Sequence, residues 1–386
     1  VVSRAGVARG RFGASVALSG TPAVVGEGES VAAYAFEHSP TDGWDAGQSV
    51  PSSGSGGASS GYGGAVDAGG DYLIVGAPLE GDDGAAYIHV RTSGNGWDAG
   101  KRIAPANGSG TGDEQFGSAV AVSDGYAAVG APKHDGGGSS DTGGVYVFEG
   151  AGTNDWSTPT KLLPDAVAAG DRFGISVAID ASGEYLIAGA SPDGTAPAGV
   201  GYAYIFRRTA GDSWDAGVRI DSPAGAAGDG FGLAVGLDGD YAVIGAPEDD
   251  GAGSGAGAAY VYYRVGGAEP NTWDAGTEIA ASDGSAGDAF GTSVAVAGDA
   301  VIVGAPRRDG PASADAGAAY LYGRVGTNDW DGEFTAVPSA AAAGAAFGTA
   351  VDIDANGVAT VMVIGSPEDD GATPGDGSGA VYVIRR

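Results

Sequence analysis

Seven aromatic–glycine pairs at near-regular spacing, a second glycine motif about fourteen residues after each, and short apolar runs between glycine-rich turns point to one architecture. They predict an all-β fold, a seven-bladed β-propeller of four-stranded antiparallel blades, the seventh blade with an incomplete outer strand. The pairs are Phe12-Gly13, Tyr62-Gly63, Phe116-Gly117, Phe173-Gly174, Phe231-Gly232, Phe290-Gly291 and Phe347-Gly348. Residues 1–386 read as a single propeller domain, with blades beginning near 12, 62, 116, 173, 231, 290 and 347, and with 1–11 closing the ring beside blade seven. Each four-stranded unit can bury its faces only against its neighbours. The alternative to a closed ring is an open β-solenoid.

Strand A follows each aromatic. In Phe116-Gly117-Ser118-Ala119-Val120-Ala121-Val122, residues 116, 118, 120 and 122 share one face and the small residues the other, the period-two pattern of a strand. Small side chains suit the crowded axis. A turn comes next, where Asp124-Gly125 and Asp238-Gly239 offer the positive φ that a two-residue hairpin needs. Strand B runs into the second motif: Gly76-Ala77-Pro78, Gly130-Ala131-Pro132, Gly245-Ala246-Pro247 and Gly304-Ala305-Pro306. Gly189-Ala190-Ser191-Pro192 and Gly365-Ser366-Pro367 are near matches, and Gly26-Glu27-Gly28 is a degenerate first copy. Strand C is the segment typified by Gly144-Val145-Tyr146-Val147-Phe148 and Ala259-Tyr260-Val261-Tyr262. Strand D begins at Trp44, Trp97, Trp156, Trp214, Trp273 and Trp330, four times as Trp-Asp-Ala-Gly. Recurrence at one repeat position gives these tryptophans a structural place under each outer strand rather than a sugar-stacking one.

Blade seven departs from the repeat. Tyr382 calls for a tryptophan near position 392, whereas the sequence stops at Arg386, and Val1 precedes Phe12 by as much as Ile220 precedes Phe231. The expectation is a blade built from 347–386 with Val1 to Ser3 as a stub of its outer strand. Such a blade exposes a strand edge, which invites pairing. With Val1 first and Met362 the one methionine, the sequence reads as a processed product.

Charge narrows the function. Lys+Arg is 18 against Asp+Glu 49, a net charge of −31. That surface repels phosphate backbones and anionic lipid, so nucleic acid is excluded as a partner. No apolar run approaches the ~20 residues of a spanning helix, so no membrane insertion by this chain is expected. The absence of Cys removes disulfides and thiolate chemistry. Self-repulsion of this size is screened at molar salt, where the Debye length is roughly 3 Å, and the composition reads as that of a halophile's protein.

Phe-Gly followed by Gly-Ala-Pro, seven times over essentially the whole chain, resembles the FG-GAP repeats of the integrin α-subunit head. The resemblance implies a propeller, an extracellular or cell-surface location, and ligand binding on the face where B–C and D–A loops emerge together. Acids concentrate in these loops: Glu80, Asp82 and Asp83; Asp135 and Asp141; Glu248, Asp249 and Asp250; Asp309 and Asp315; Glu368, Asp369 and Asp370. The D–A loops add Asp113, Asp171, Asp229 and Asp288. The residues assigned to a partner-binding face are Asp82, Asp83, Asp135, Asp249, Asp250, Asp309, Asp369 and Asp370. Turn formation by Asp-Gly and general surface acidity are the competing reading of each loop. The resemblance also implies Ca²⁺ in A–B hairpins. Asp352, Asp354 and Asn356 approach that motif, with Thr360 at its ninth position in place of Asp. Carboxylates are the hard oxygen ligands this ion takes.

Catalytic constellations are thin. His38, His89 and His134 occupy different registers and read as exposed turn or strand residues. Gly57-Ala58-Ser59-Ser60-Gly61 matches a nucleophile-elbow string without a following helix. Asn107-Gly108-Ser109 is an N-glycosylation sequon. The expectation is a non-catalytic extracellular or cell-surface module for binding or assembly, with a protein partner, a second copy or a glycan as its ligand. The alternatives are a polysaccharide lyase or hydrolase on a propeller scaffold, and a virus surface spike.

Overall fold

The computed structural model describes the chain except residues 1–9, 29–31, 40–42, 54–58, 94–95, 106–111, 137–138, 153, 165, 193–198, 212, 224, 267–270, 311–312, 339–341, 356–358 and 370–376. Val1 to Ser3, the expected stub, lie outside the described residues. Seven antiparallel sheets follow one another along the chain, each in the order A-B-C and, in blades one to six, D. Blade one is built from Phe12–Leu18, Pro22–Glu27, Ala32–Ser39 and the short outer strand Gln48–Val50. Blade six has the longest outer strand, Asp329–Ala336, and blade seven consists of Ala350–Ala355, Thr360–Ser366 and Ala380–Arg385. Among the described residues, no fourth strand pairs with the outer side of Ala380–Arg385.

The two glycine motifs turn out to be the two halves of one contact. Each glycine after the aromatic has φ between 87° and 97°, a conformation that side chains disfavour. Its carbonyl oxygen lies against the Cα of the second-motif glycine of the preceding blade. A Cβ on Gly76 would overlap the Gly117 carbonyl oxygen, and the same holds for Gly130 with Gly174, Gly189 with Gly232, Gly245 with Gly291 and Gly304 with Gly348. Gly26 of the degenerate first copy meets Gly63 in the same way. The series closes on itself: Gly365 of blade seven meets Gly13 of blade one, and Phe12 bridges Gly379. The ring is therefore closed, and the solenoid is ruled out.

Strand A carries different residues to its two neighbours. Phe116, Val120 and Val122 pack on Ile74, Ala86 and Ile88 of the preceding blade, while Ala121 joins the cluster with Phe173 and Leu186 of the following one. Phe12, Phe116, Phe173 and Phe231 are fully buried in these seams. Burying such a side chain contributes about 1.5–3 kcal/mol, so each seam between blades is a substantial source of stability.

The tryptophans also act between blades. Trp156 meets Tyr72 of the preceding blade edge-on at 5.3 Å between centroids, and Trp214–Tyr126, Trp273–Tyr185 and Trp330–Tyr241 repeat the contact. On three of these tyrosines an arginine of the following blade also stacks: Arg208 on Tyr126, Arg264 on Tyr185 and Arg324 on Tyr241. In Trp-Asp-Ala-Gly, the aspartate folds the turn into strand D. Asp274 Oδ1 accepts from the amides of Tyr263 and Gly276, at 3.0 Å each. Its Oδ2 accepts from Asn328 Nδ2 of the next blade at 2.7 Å. Asn271 ties blade five to Asp215 of blade four in the same manner.

Candidate functional site

On the B–C/D–A face, strand-C tyrosines reach up to carboxylates of the loops. Tyr87 donates to Glu80 at 2.6 Å, Tyr202 to Asp171 at 2.6 Å, Tyr260 to Asp249 at 2.9 Å, Tyr320 to Asp283 at 2.7 Å and Tyr382 to Asp369 at 2.6 Å. Burial and the adjacent carboxylate push these phenols up, Tyr87 to about 12. The loop acids therefore divide into two sets. Asp249 and Asp369, assigned by sequence to the partner face, are 4% and 6% exposed and spend their carboxylates on these clasps. Asp229 and Asp288 are buried too, and burial holds both carboxyls above the ordinary carboxylate range.

Asp82, Asp250 and Asp309 are exposed, and Asp83 and Asp135 are half-buried. Burial, then Glu114, raises Asp83. Asp135, Asp250 and Asp309 each shape their own loop, accepting from the amides of Asp141, Gly255 and Asp315 respectively. Asp370, Asn107 and Asn356 lie outside the described residues, as do Gly57 and Ala58 of the elbow-like string.

The axis holds a cavity of about 520 Å³ towards the A–B hairpins, lined by strands A of all seven blades. Most of the residues that face the following blade here are small: Ala17, Ala121, Ala178, Gly236 and Ala295. Two are not. Asp67 and Asp352 occupy the same repeat position, and each carboxylate accepts from a strand-edge amide of the next blade, Val122 N at 2.7 Å and Leu18 N at 2.6 Å. Asp354 likewise accepts from Gly20 N, and Asp238 from Gly298 N. Asp67 and Asp352 are half-buried at the cavity wall, with protein around their carboxyls. Desolvation raises Asp67 to about 8, with repulsion from Asp352 adding to it, and desolvation raises Asp352 to about 7.

This geometry bears on the Ca²⁺ expectation. Asp352 Oδ2 accepts from Leu18 and Oδ1 from the Ile353 amide, so both oxygens already face N–H groups. Among the described residues, no three His, Asp or Glu side chains gather as a metal site would require. The described part of the hairpin does not fit Ca²⁺.

The histidines correct the sequence reading, which placed them on the surface. His89 is fully buried, bonded through Nε2 to the Tyr62 hydroxyl at 3.1 Å and through Nδ1 to the Asp98 carbonyl at 3.1 Å. Burial lowers its pKa. His134 is 6% exposed and sits beside Glu114. His38 remains half-buried, edge-on to Trp44.

Seven closed blades with loop-borne carboxylates on one face and an acid-lined axial cavity on the other define a β-propeller of repeat type. The model of the FG-GAP repeat family matches residues 97–148, 156–206, 214–262, 273–322 and 330–384. The chain belongs to that family. No curated protein matches it. Among solved structures it is similar to a chain described under prolyl endopeptidases, their inter-domain dynamics, catalysis and specificity, at 12% identity and a TM-score of 0.52. The match covers 97% of this chain and 46% of that one, and it shows the propeller fold alone.

Proposed function

We propose that this chain is a non-catalytic binding and assembly module of a halophile, working outside the cell or at its surface. The observation that carries the proposal is the outer side of Ala380–Arg385. The strand-C segments of blades one to six carry a D strand there, and this one carries none among the described residues. Where such an edge is open, its backbone N–H and C=O groups accept an extended strand from a partner. The exposed Asp82, Asp250 and Asp309 supply a second contact surface, held in shape by the buried tyrosine–carboxylate clasps beneath. The net charge of −31 suits association at high salt, where repulsion between copies is screened.

The test is hydrogen exchange of the 380–385 amides in about 2 M NaCl across a range of protein concentration. Protection that rises with concentration, or on adding the native partner, is the expected result. Fast exchange at every concentration would overturn the assembly reading. Slow exchange independent of concentration would also overturn it, since the edge would then be covered from within the chain.

A further inference from the structure

Blade three departs from the clasp pattern in a way that changes its chemistry. Where blades two, five and seven place Glu80, Asp249 and Asp369 in the B–C loop, blade three places His134. Strand D opposite Tyr146 supplies Lys161, through the pairing of Val145–Gly152 with Thr160–Leu162. Glu114, fully buried, lies with Oε1 3.2 Å from His134 Nδ1. The Tyr146 hydroxyl comes within 3.4 Å of the same nitrogen. Lys161 Nζ meets the other ring nitrogen, Nε2, and lies 5.9 Å from the centre of the Tyr146 ring. The carboxylate fixes the ring proton on Nδ1, which leaves Nε2 as a base facing the amine. Lys161 itself is exposed.

This is the arrangement of an activated nucleophile: an amine, a base within reach, and a third group that orients the base. We propose that Lys161 is a reactive amine that captures small neutral aldehydes reversibly as a Schiff base. His134 Nε2 takes a proton from the Lys161 ammonium. The freed lone pair on Nζ then forms a bond to the carbonyl carbon, the C=O pair moves onto oxygen, and that oxygen takes the proton back from His134. His134 then carries a proton from the carbinolamine nitrogen to its hydroxyl, the Nζ lone pair forms the C=N bond as the C–O bond breaks, and water leaves, so ammonium and aldehyde become a protonated imine and water with no other reactant. Partial desolvation of the amine end against His134 and Tyr146 lowers the Lys161 pKa, although Glu114 opposes it. Neutral carbonyl compounds suit the place, because the charges of Asp83 and Glu114 reach it and repel anions.

Blade two shows the contrast. There Arg102 Nε donates to Glu80 at 2.7 Å beneath Tyr87, an ion pair built on a side chain that stays protonated. The other two lysines lack the base: Lys133 Nζ bonds Asp113 at 3.1 Å, and Lys101 is exposed on strand D of blade two.

The test is a short pulse of propanal with cyanoborohydride on the folded protein in about 2 M NaCl at pH 7.5, read by peptide mass mapping of the three lysines. The expected result is labelling of Lys161 at least about tenfold faster than Lys101 and Lys133. In His134→Gln that preference falls to about twofold, while the Lys101 rate, which reports an intact fold, is unchanged. If His134→Gln fails to fold, Tyr146→Phe, which spares the base, is expected to keep the preference. Equal labelling of the three lysines in the native chain would overturn the proposal. So would Lys161 reacting slowest, as an amine locked in an ion pair, or a preference that survives in His134→Gln.

Discussion

Raising the pH from 5 to 9 in about 2 M NaCl is expected to destabilise this propeller, through Asp67 and Asp352 in the axial cavity. A carboxyl whose folded pKa lies above its unfolded value binds its proton more tightly when folded. Its contribution is complete below about pH 4 and is lost as the pH rises through the folded value. For Asp67 that interval runs from 3.8 to about 8, and for Asp352 from 3.8 to about 7. At about 1.4 kcal/mol per tenfold change, the three tenfold steps between pH 5 and about 8 give at most about 4 kcal/mol from Asp67 alone. Half-burial of the two residues and the coupling between them reduce this to about 3 kcal/mol, a large part of the 5–15 kcal/mol typical of a domain. The exposed carboxylates are already ionised at pH 5 and are screened by the salt, so they add little slope. Asp67→Asn keeps an oxygen for the Val122 amide and removes the ionisation. Denaturant melts at pH 5 and pH 9 should show a fall of about 3 kcal/mol or more in the native chain, roughly halved in Asp67→Asn. A native chain equally stable at both pH values would refute the argument.

Three further outcomes follow from the packing. Gly365→Ala, at a position without a positive φ, forces a methyl group onto the Gly13 carbonyl and should cost about 3 kcal/mol or more. Gly81→Ala, where φ is 69° and nothing lies within 4 Å, should cost only about 1–2 kcal/mol; similar losses in paired melts would contradict the ring-closing contact. Asn271→Ala leaves the Ile205 carbonyl and the Trp273 indole N–H without their partners and is expected to lower stability by about 2 kcal/mol. Circular dichroism should report loss of the fold below a few tenths molar salt, and a melting temperature unchanged from 0.1 to 2 M would count against a halophilic design.

Much of the architecture was legible because the repeat displays its own constraints. The aromatic–glycine pair and the second motif each need glycine for a reason local to the backbone, so both glycines survive in every blade, and even Gly26 keeps its half of the contact. Period-two alternation gave strand A, but not which face meets which neighbour. The tryptophans were placed in the right repeat position and given too local a role, because their tyrosine partners lie in the preceding blade, some 80 residues earlier for Tyr72 and Trp156. Acid clustering picks out the B–C loops yet cannot separate Asp250, exposed, from Asp249, buried under Tyr260. That division depends on the tyrosine one strand away.

Two features have roles that the sequence does not reveal. Asp67 and Asp352 stand in a column otherwise filled by Ala and Gly, and lining the seven strands A up by their aromatic would have exposed them. His134 reads from sequence as a surface residue because a loop histidine usually is one. Its burial follows from Glu114 and Lys161 converging on it from two other loops and strands, which no local pattern reveals.

The proposed function rests on association, and the mass of the native assembly tests that most directly. Light scattering after size exclusion in about molar salt should give a defined multiple of the chain's own mass, or a discrete complex when the native partner is supplied. A clean monomer at every concentration, with no gain in mass beside its partner, would contradict the account.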